Sequence, residues 1–103
     1  MRKLLQVDFD SGFGGEQNEE IKKMLTELAK SINNEPGIIW KIWTENVESQ
    51  LGGGIYLFEN ETTAKKYLAM HSARLTEMGI TNIRGVIFDI NNPLTDINKG
   101  PVQ

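Results

Sequence analysis

The sequence predicts an α+β domain of the ferredoxin-like class, with the element order β-α-β-β-α-β and a four-stranded antiparallel sheet. Two amphipathic helical stretches alternate with four segments rich in β-branched and aromatic residues. The chain has 103 residues, of which 39% are hydrophobic and 24% charged, which is typical of a globular protein with a core of its own. No linker or internal repeat divides it, so we expect a single domain over residues 1–103.

In the first β-α unit the spacing of apolar residues changes from the period of a strand to that of a helix. The segment KLLQVDFD (3–10) alternates Leu5, Val7 and Phe9 with polar residues, as a strand with one apolar face does. SGFGG (11–15) cannot continue it, because three glycines in five residues favour irregular backbone. This segment is either a loop at the rim of a ligand pocket or a plain turn. A helix is predicted from Glu16 to about Asn33, and its apolar stripe comprises Ile21, Met24, Leu25, Leu28, Ala29 and Ile32.

The next two predicted strands, IIWKIWTENVE (38–48) and GIYLFE (54–59), form a hairpin joined by SQLGG. Both are apolar on both faces. In the first, one face carries Ile38, Trp40 and Ile42, and the other carries Ile39 and Trp43. Two helices cover only one face of such a sheet, so we expect a second copy of the chain to cover the other in a homodimer. The alternative is a monomer with scattered exposed apolar residues.

The second helix is predicted from about Thr62 to Met78, with Asn60 or Thr62 as its N-cap and Gly79 as a left-handed C-terminal cap. Its stripe comprises Ala64, Tyr67, Leu68, His71, Leu75 and Met78. The last strand is IRGVIFDI (83–90), which ends at an Asn-Asn-Pro motif. We expect the tail after it to pack only through Leu94 and Ile97.

Composition excludes several kinds of site and partner. The chain has no cysteine, so it forms no disulfide and no thiolate site, and its single histidine lies in no metal-binding pattern. No cofactor motif is present. A net charge of -3 and a pI near 5.1 argue against nucleic acid or an anionic membrane as the partner. No run approaches the roughly 20 apolar residues of a membrane span, so we expect a cytoplasmic protein.

His71 is the first candidate for chemistry. It lies on the apolar stripe of the second helix, where most histidines are core residues satisfied by one hydrogen bond. The functional interpretation is a base or hydrogen-bond donor with a pKa near neutrality in a partly apolar pocket. Arg74 is its helical neighbour, either as a solvated charge or as a group that stabilises an enolate or phenolate oxygen.

Aromatic residues are the candidate walls of a ligand pocket. Trp40 and Trp43 point to opposite faces of a regular strand, so at most one lines a given pocket unless a bulge intervenes. Packing in the core or at the dimer interface is the simpler role for both. Tyr56 offers a hydroxyl to a ligand, or caps the core. Tyr67 and Phe9 complete the predicted substrate-binding set.

Four strings carry a family resemblance: SINNEPGIIWKIWTEN, GGGIYLF, YLAMHSARLTEMGI and VIFDINNPLTDIN. They closely resemble the YdhR monooxygenase family, and the similarity extends from LLQVDF at residue 4 to the DIN at residues 96–98. The resemblance implies a dimeric α+β barrel in which two ferredoxin-like sheets face each other. It also implies a pocket lined or supported by Trp40, Trp43, Tyr56, His71 and Arg74.

The family is similar to the antibiotic-biosynthesis monooxygenases, which oxidise phenols with molecular oxygen and without flavin, haem or metal. The resemblance therefore implies a small or polycyclic aromatic substrate that is deprotonated in the pocket and gives an electron to oxygen. His71 would take or hold the proton, and Arg74 and Tyr56 would steady the oxyanion. Two alternatives stay open: a non-catalytic protein that binds a small aromatic molecule, and a cofactor-free isomerase or lyase of the same fold.

Overall fold

A computed structural model describes residues 1–10 and 19–103 of the chain. Its elements are β1 (Lys3–Asp10), α1 (Glu19–Ile32), β2 (Ile38–Asn46), β3 (Leu51–Phe58), α2 (Glu61–Glu77), β4 (Thr81–Asp89) and α3 (Asn92–Ile97). The strands form one antiparallel sheet in the order β2-β3-β1-β4. The predicted ferredoxin-like fold is confirmed, and the glycine-rich segment SGFGG lies outside the described residues.

Strand register places the core on one face of the sheet. Leu5 pairs with Tyr56 and Val7 pairs with Gly54, so these side chains share a face. Helix α2 packs on this helix-covered face, where Tyr67 contacts Tyr56. The fully buried core comprises Leu5, Val7, Tyr56, Phe58, Ala64 and Tyr67. The alternation predicted for β1 is therefore what brings the sheet and α2 together.

The opposite, open face of the sheet exposes large apolar side chains. Register puts Trp40 beside Leu57, and Leu57 beside Leu4 and then Phe88, across all four strands. Ile42, Val86 and Phe88 are between 43% and 52% exposed. The open face is thus apolar, as the two-sided pattern of the hairpin strands predicts.

The ends of α2 match their sequence signals. Asn60 is the N-cap, and its side-chain oxygen accepts a hydrogen bond from the Thr63 backbone N–H at 2.9 Å. At the other end Gly79 has a φ of 84°, the left-handed conformation that glycine adopts without strain. The Ile80 N–H then donates to the Leu75 carbonyl oxygen at 3.1 Å.

Helix α1 covers Glu19–Ile32 in the described part of the chain, and its predicted start at Glu16 lies outside the described residues. Met24 was expected in the stripe but is 44% exposed, whereas Ile32 is buried. The remaining stripe comprises residues 21, 25, 28, 29 and 32, which are buried or half-buried on one side of the helix. Met24 lies at the edge of that side.

The hairpin differs from its predicted form in two ways. Its turn is formed by residues 47–50, with Gln50 at a φ of 57°. Gly52 and Gly53, which were predicted in the connection, therefore lie inside β3. A bulge between Ile38 and Trp40 leaves Ile39 as an extra residue opposite β3. The prediction that Ile38 and Trp40 share a face is therefore wrong, since Ile38 pairs with Phe58 and packs against the core.

The tail also differs from expectation. Leu94 and Ile97 are 60% and 73% exposed, whereas Val102 is buried, so the prediction that the tail packs through the first two is wrong. They lie on the short helix α3, which was not expected from the sequence. The sequence contains signals for the start of this helix, an asparagine at the N-cap position and a proline in the first turn. In the structure the side chain of Asn91 accepts a hydrogen bond from the Leu94 N–H. The chain end is held by Trp40, whose indole N–H donates to the Pro101 carbonyl oxygen at 2.7 Å.

Candidate functional site

A cavity of about 90 Å³ lies between the helix-covered face of the sheet and the helices α1 and α2. Its walls are mostly apolar and aromatic, the composition expected of a small-molecule site. Helices α1 and α2 contribute Leu25, Leu28, His71, Leu75 and Met78, and the strands contribute Phe9, Lys41, Trp43, Glu45 and Tyr56.

Register explains how β2 and β3 build one wall. Lys41 pairs with Tyr56, and Trp43 pairs with Gly54, so all four positions face the helices. A Cβ added at Gly54 would fall 2.7 Å from Lys41 Cε and 3.2 Å from Tyr56 Cε1. The bare backbone at Gly54 therefore leaves the space through which the Lys41 side chain passes.

His71 and Arg74 are joined by a hydrogen bond, as their spacing of three on a helix allows. The Arg74 Nη2 atom lies 2.8 Å from His71 Nδ1. Because a guanidinium only donates, Nδ1 must accept, and the proton of the neutral ring is on Nε2. Nε2 makes no hydrogen bond to any residue in the described part of the chain. It is the ring atom free to donate to a ligand.

The surroundings of His71 hold it neutral. The side chain is only 3% exposed, and its ring stacks on Tyr67 with centroids 5.1 Å apart. Burial, reinforced by the positive charges of Arg74 and Lys41, lowers the pKa of His71 to about 3. The sequence-based expectation of a pKa near neutrality is therefore wrong, because it did not include how fully the ring is buried or the two nearby cations.

Lys41 is the cavity residue that sequence reasoning missed. Its Nζ lies 3.5 Å from the Trp43 ring centroid and 4.7 Å from that of Tyr56. Burial, together with the charge of Arg74, lowers the pKa of Lys41 to about 7. A signal was available, since Lys41 is the one charged residue in the otherwise apolar run IIWKIW.

Neither cation has an acidic partner among residues 1–10 and 19–103. No carboxylate in those ranges lies within ion-pair distance of Lys41 or Arg74, and Arg74 Nε is buried without a hydrogen-bond acceptor. Glu45 lines the cavity, but it is exposed and forms no ion pair with Lys41. The region around His71 therefore carries positive charge that an anion would compensate.

The two tyrosines stay protonated. Tyr56 is 1% exposed and Tyr67 is 3% exposed, and their hydroxyl oxygens are 3.5 Å apart. Burial raises the pKa of both phenols above its ordinary value. Each can therefore donate a hydrogen bond but does not act as a base.

The structure brings some of the predicted site residues together and separates others. Phe9, Trp43, Tyr56 and His71 all line the cavity. Tyr67 and Arg74 stand behind it as packing and hydrogen-bonding partners of His71. Trp40 lies on the open face of the sheet, bonded to the tail, and does not reach this cavity. The bulge precedes both tryptophans, so it does not bring them to one face.

Two other kinds of site find no support in the described ranges. No group of three or more His, Cys, Asp or Glu side chains is placed to hold a metal ion there. No helix among those residues is long and apolar enough to cross a membrane.

The model of the family described as "Putative mono-oxygenase ydhR" matches residues 4–101. The chain belongs to this family. The match covers all the described helices and, except for Lys3, all the described strands, including the cavity residues on β2, β3 and α2. No curated protein matches the chain in sequence.

Solved structures share the fold at low identity. One is described as a putative antibiotic biosynthesis monooxygenase from Deinococcus radiodurans; it has a TM-score of 0.59 and 11% identity, over 88% of this chain and 93% of that one. Another is a hypothetical protein from Arabidopsis thaliana, with a TM-score of 0.56 and 16% identity, over 87% of each chain. At these identities the likeness concerns the fold alone.

Proposed function

We propose that this YdhR-family protein is a cofactor-independent monooxygenase that oxidises a small aromatic phenol or quinol with molecular oxygen. The phenol binds in the cavity between the sheet and the helices and is held there as its phenolate. The phenolate, being electron-rich, gives an electron to oxygen, so the substrate supplies the reducing power. The protein has three tasks: to bind a planar ring, to favour its ionised form and to exclude water.

One observation carries this proposal: two basic side chains, the charged Arg74 and the protonatable Lys41, have no described counter-ion beside an aromatic cavity. Lys41 lines the cavity, and Arg74 stands directly behind His71. A charge buried without a partner is costly, and an anion in the cavity would relieve that cost. A neutral aromatic molecule would not relieve the cost of the buried charge. The site therefore favours a phenolate over the phenol, and family membership supports oxygen as the second reactant.

The residues that line or support the cavity then have separate tasks. His71, kept neutral with its proton on Nε2, donates a hydrogen bond to the oxyanion, and Arg74 holds His71 in that tautomer. Tyr56 is a second donor at the cavity wall. Trp43 and Phe9 form the faces against which the ring packs.

Cavity size restricts the substrate. A cavity of roughly 150 Å³ accommodates a benzene ring. At about 90 Å³ this one takes part of a single ring, and the rest of the molecule extends past Trp43, which is 45% exposed. We therefore propose a one-ring or two-ring phenol as substrate.

A homodimer is part of the proposal. The open face carries Ile42, Val86 and Phe88 half-exposed to solvent, and two such faces packed together form an α+β barrel. The cavity lies on the other side of the sheet, so each protomer would carry its own site.

Oxygen uptake tests the function. Purified protein, treated with chelator and freed of flavin, is added to a panel of phenols and quinols in an oxygen electrode. We expect uptake with at least one compound and a large loss in His71→Ala, whose circular dichroism must match the wild type. Lys65→Met is the matched control, because Lys65 is an exposed α2 residue paired with Glu61.

The alternatives give different results. Quenching of tryptophan emission by a phenol without oxygen uptake or product would point to a binding protein. Conversion of the substrate to a different compound under strict anaerobiosis, detected by chromatography after the protein is removed, would point to an isomerase or lyase. Either result would contradict the proposed oxygenase.

A further inference from the structure

His71 is poorly suited to take the substrate's proton, although it was the first candidate for that step. Its Nδ1 is occupied by Arg74, and burial with two nearby cations holds its pKa near 3. A phenol resembling tyrosine has a pKa of about 10. Transfer to His71 would therefore be uphill by about seven pKa units, each a factor of ten in the equilibrium. Another group must accept the proton.

Lys41 is placed to do so. It lines the same cavity as His71 and Tyr56, and its Nζ makes no hydrogen bond or ion pair to any described residue. At about pH 8, one unit above its pKa of about 7, the amine is mostly neutral and can accept a proton. Transfer from the same phenol is then uphill by about three units.

We propose that Lys41 is the general base of this site: its neutral amine takes the proton of the substrate hydroxyl, and the resulting ammonium holds the phenolate. The phenol O–H bond breaks, an N–H bond forms at Nζ, and no electron is transferred in this step. The inference rests on the proposed function, since it needs a phenol in the cavity, but it concerns a step that precedes oxygen.

The walls favour the ion pair that this transfer produces. The ring face of Trp43 lies 3.5 Å from Nζ, and that of Tyr56 lies 4.7 Å away. An ammonium in that position gains cation–π attraction from both rings. The phenolate would in turn accept from His71 Nε2, which has no partner in residues 1–10 and 19–103.

The charged and titratable groups around Lys41 come from three elements. Glu45, on the same face of β2, is exposed and too far for an ion pair, and Tyr56 on β3 stays protonated. Helix α2 presents His71, which is neutral, and Arg74, which repels a proton on Lys41. The cavity residues from α1 are apolar. Burial, and after it the charge of Arg74, keeps the amine available as a base.

Binding of 2-naphthol without oxygen tests the proposal. At about pH 8 this phenol is protonated in solution, and its phenolate has a separate absorption band. Wild-type protein should produce that band with almost no proton released to a weakly buffered indicator, because the proton stays on Lys41. Lys41→Met should bind without the band. Lys65→Met, the exposed control on α2, should behave as wild type.

Lys41→Arg separates a base from a fixed counter-ion. Arginine stays protonated, so it can stabilise the phenolate but cannot accept the proton. We expect the band together with release of about one proton per bound ligand. Release of about one proton by the wild type at about pH 8, or a phenolate band in Lys41→Met, would overturn the proposal. So would wild-type binding, seen as tryptophan quenching, without any band.

Different results would contradict the role of Lys41 and the monooxygenase activity. Phenolate formation without oxygen uptake in air would leave the role of Lys41 intact and remove the monooxygenase. Oxygen uptake that persists in Lys41→Met would leave the monooxygenase and remove Lys41 as its base.

Discussion

Arg74 Nη2 lies 2.8 Å from His71 Nδ1, and this contact determines what the single histidine of the chain can do. A guanidinium can donate hydrogen bonds but cannot accept them, so the ring must be the neutral Nε2–H tautomer. Protonation of Nδ1 would break the hydrogen bond and place a third positive charge beside Arg74 and Lys41. We therefore propose that His71 donates a hydrogen bond to the ligand and is not the base.

Acid stability should report the buried, neutral state of His71. Its pKa is about 3 in the folded protein and about 6.5 when unfolded, so between these values the unfolded chain binds more protons. Stability is then full above about pH 6.5 and is lost as pH falls toward 3. The slope approaches about 1.4 kcal/mol per pH unit for this one group. Urea unfolding between about pH 5 and 7 measures it.

The matched variant for acid stability is His71→Asn, which does not titrate and offers Arg74 an amide oxygen. Its stability should vary less over the same pH range, where carboxylates contribute little to the difference between the two proteins. Equal slopes for wild type and variant would mean that His71 is not held neutral in the fold.

Much of the fold could be predicted from residue patterns, because burial of one face imposes a period on each element. The apolar stripe of α2 and the alternating apolar residues of β1 each contact one neighbouring layer of the structure. Asn60 and Gly79 could be assigned because capping depends on local backbone geometry alone. The bulge before Trp40 could not, since it depends on how β2 pairs with another strand.

The site was less accessible to sequence reasoning for the same reason. His71, Tyr56 and Trp43 were named from chemistry and face, and the structure brings them to one cavity. Lys41 was not named, because a lysine on a strand is ordinarily a solvated charge. Its altered pKa arises from burial and from Arg74, which is distant in sequence.

Gly54 should be required for the position of Lys41. A Cβ in Gly54→Ala would meet Lys41 Cε at 2.7 Å, and the flexible lysine would move away from the aromatic rings. We expect a folded protein that binds 2-naphthol without ionising it. Gly79→Ala is the control: it has no neighbour within 4 Å and lies outside the cavity, and its φ of 84° should cost about 1 kcal/mol. Ionisation in Gly54→Ala at the wild-type level would contradict this path for Lys41.

The two tryptophans should respond differently to ligand. Trp43 lines the cavity, whereas Trp40 lies on the open face and bonds to Pro101. A phenol should therefore quench the emission of Trp40→Phe, which retains Trp43, and leave that of Trp43→Phe nearly unchanged. Steady-state fluorescence titration measures both. The reverse pattern would place the ligand on the open face.

Dimer formation should depend on the open face. Val86→Lys puts a charge where an apolar side chain is 50% exposed, and we expect it to shift the protein toward the monomer in sedimentation velocity. Met24→Lys, at a residue 44% exposed on α1, should leave the dimer intact. A wild-type monomer, or an unchanged dimer in Val86→Lys, would contradict the proposed barrel.

The most direct test of the monooxygenase is the fate of isotopically labelled dioxygen. The protein is incubated with a phenol that supports oxygen uptake, and the product is analysed by mass spectrometry, with labelled water as the reciprocal experiment. We predict one labelled oxygen atom in each product molecule from dioxygen and none from water. Product without label from dioxygen, or no product with any phenol that binds, would contradict the central claim.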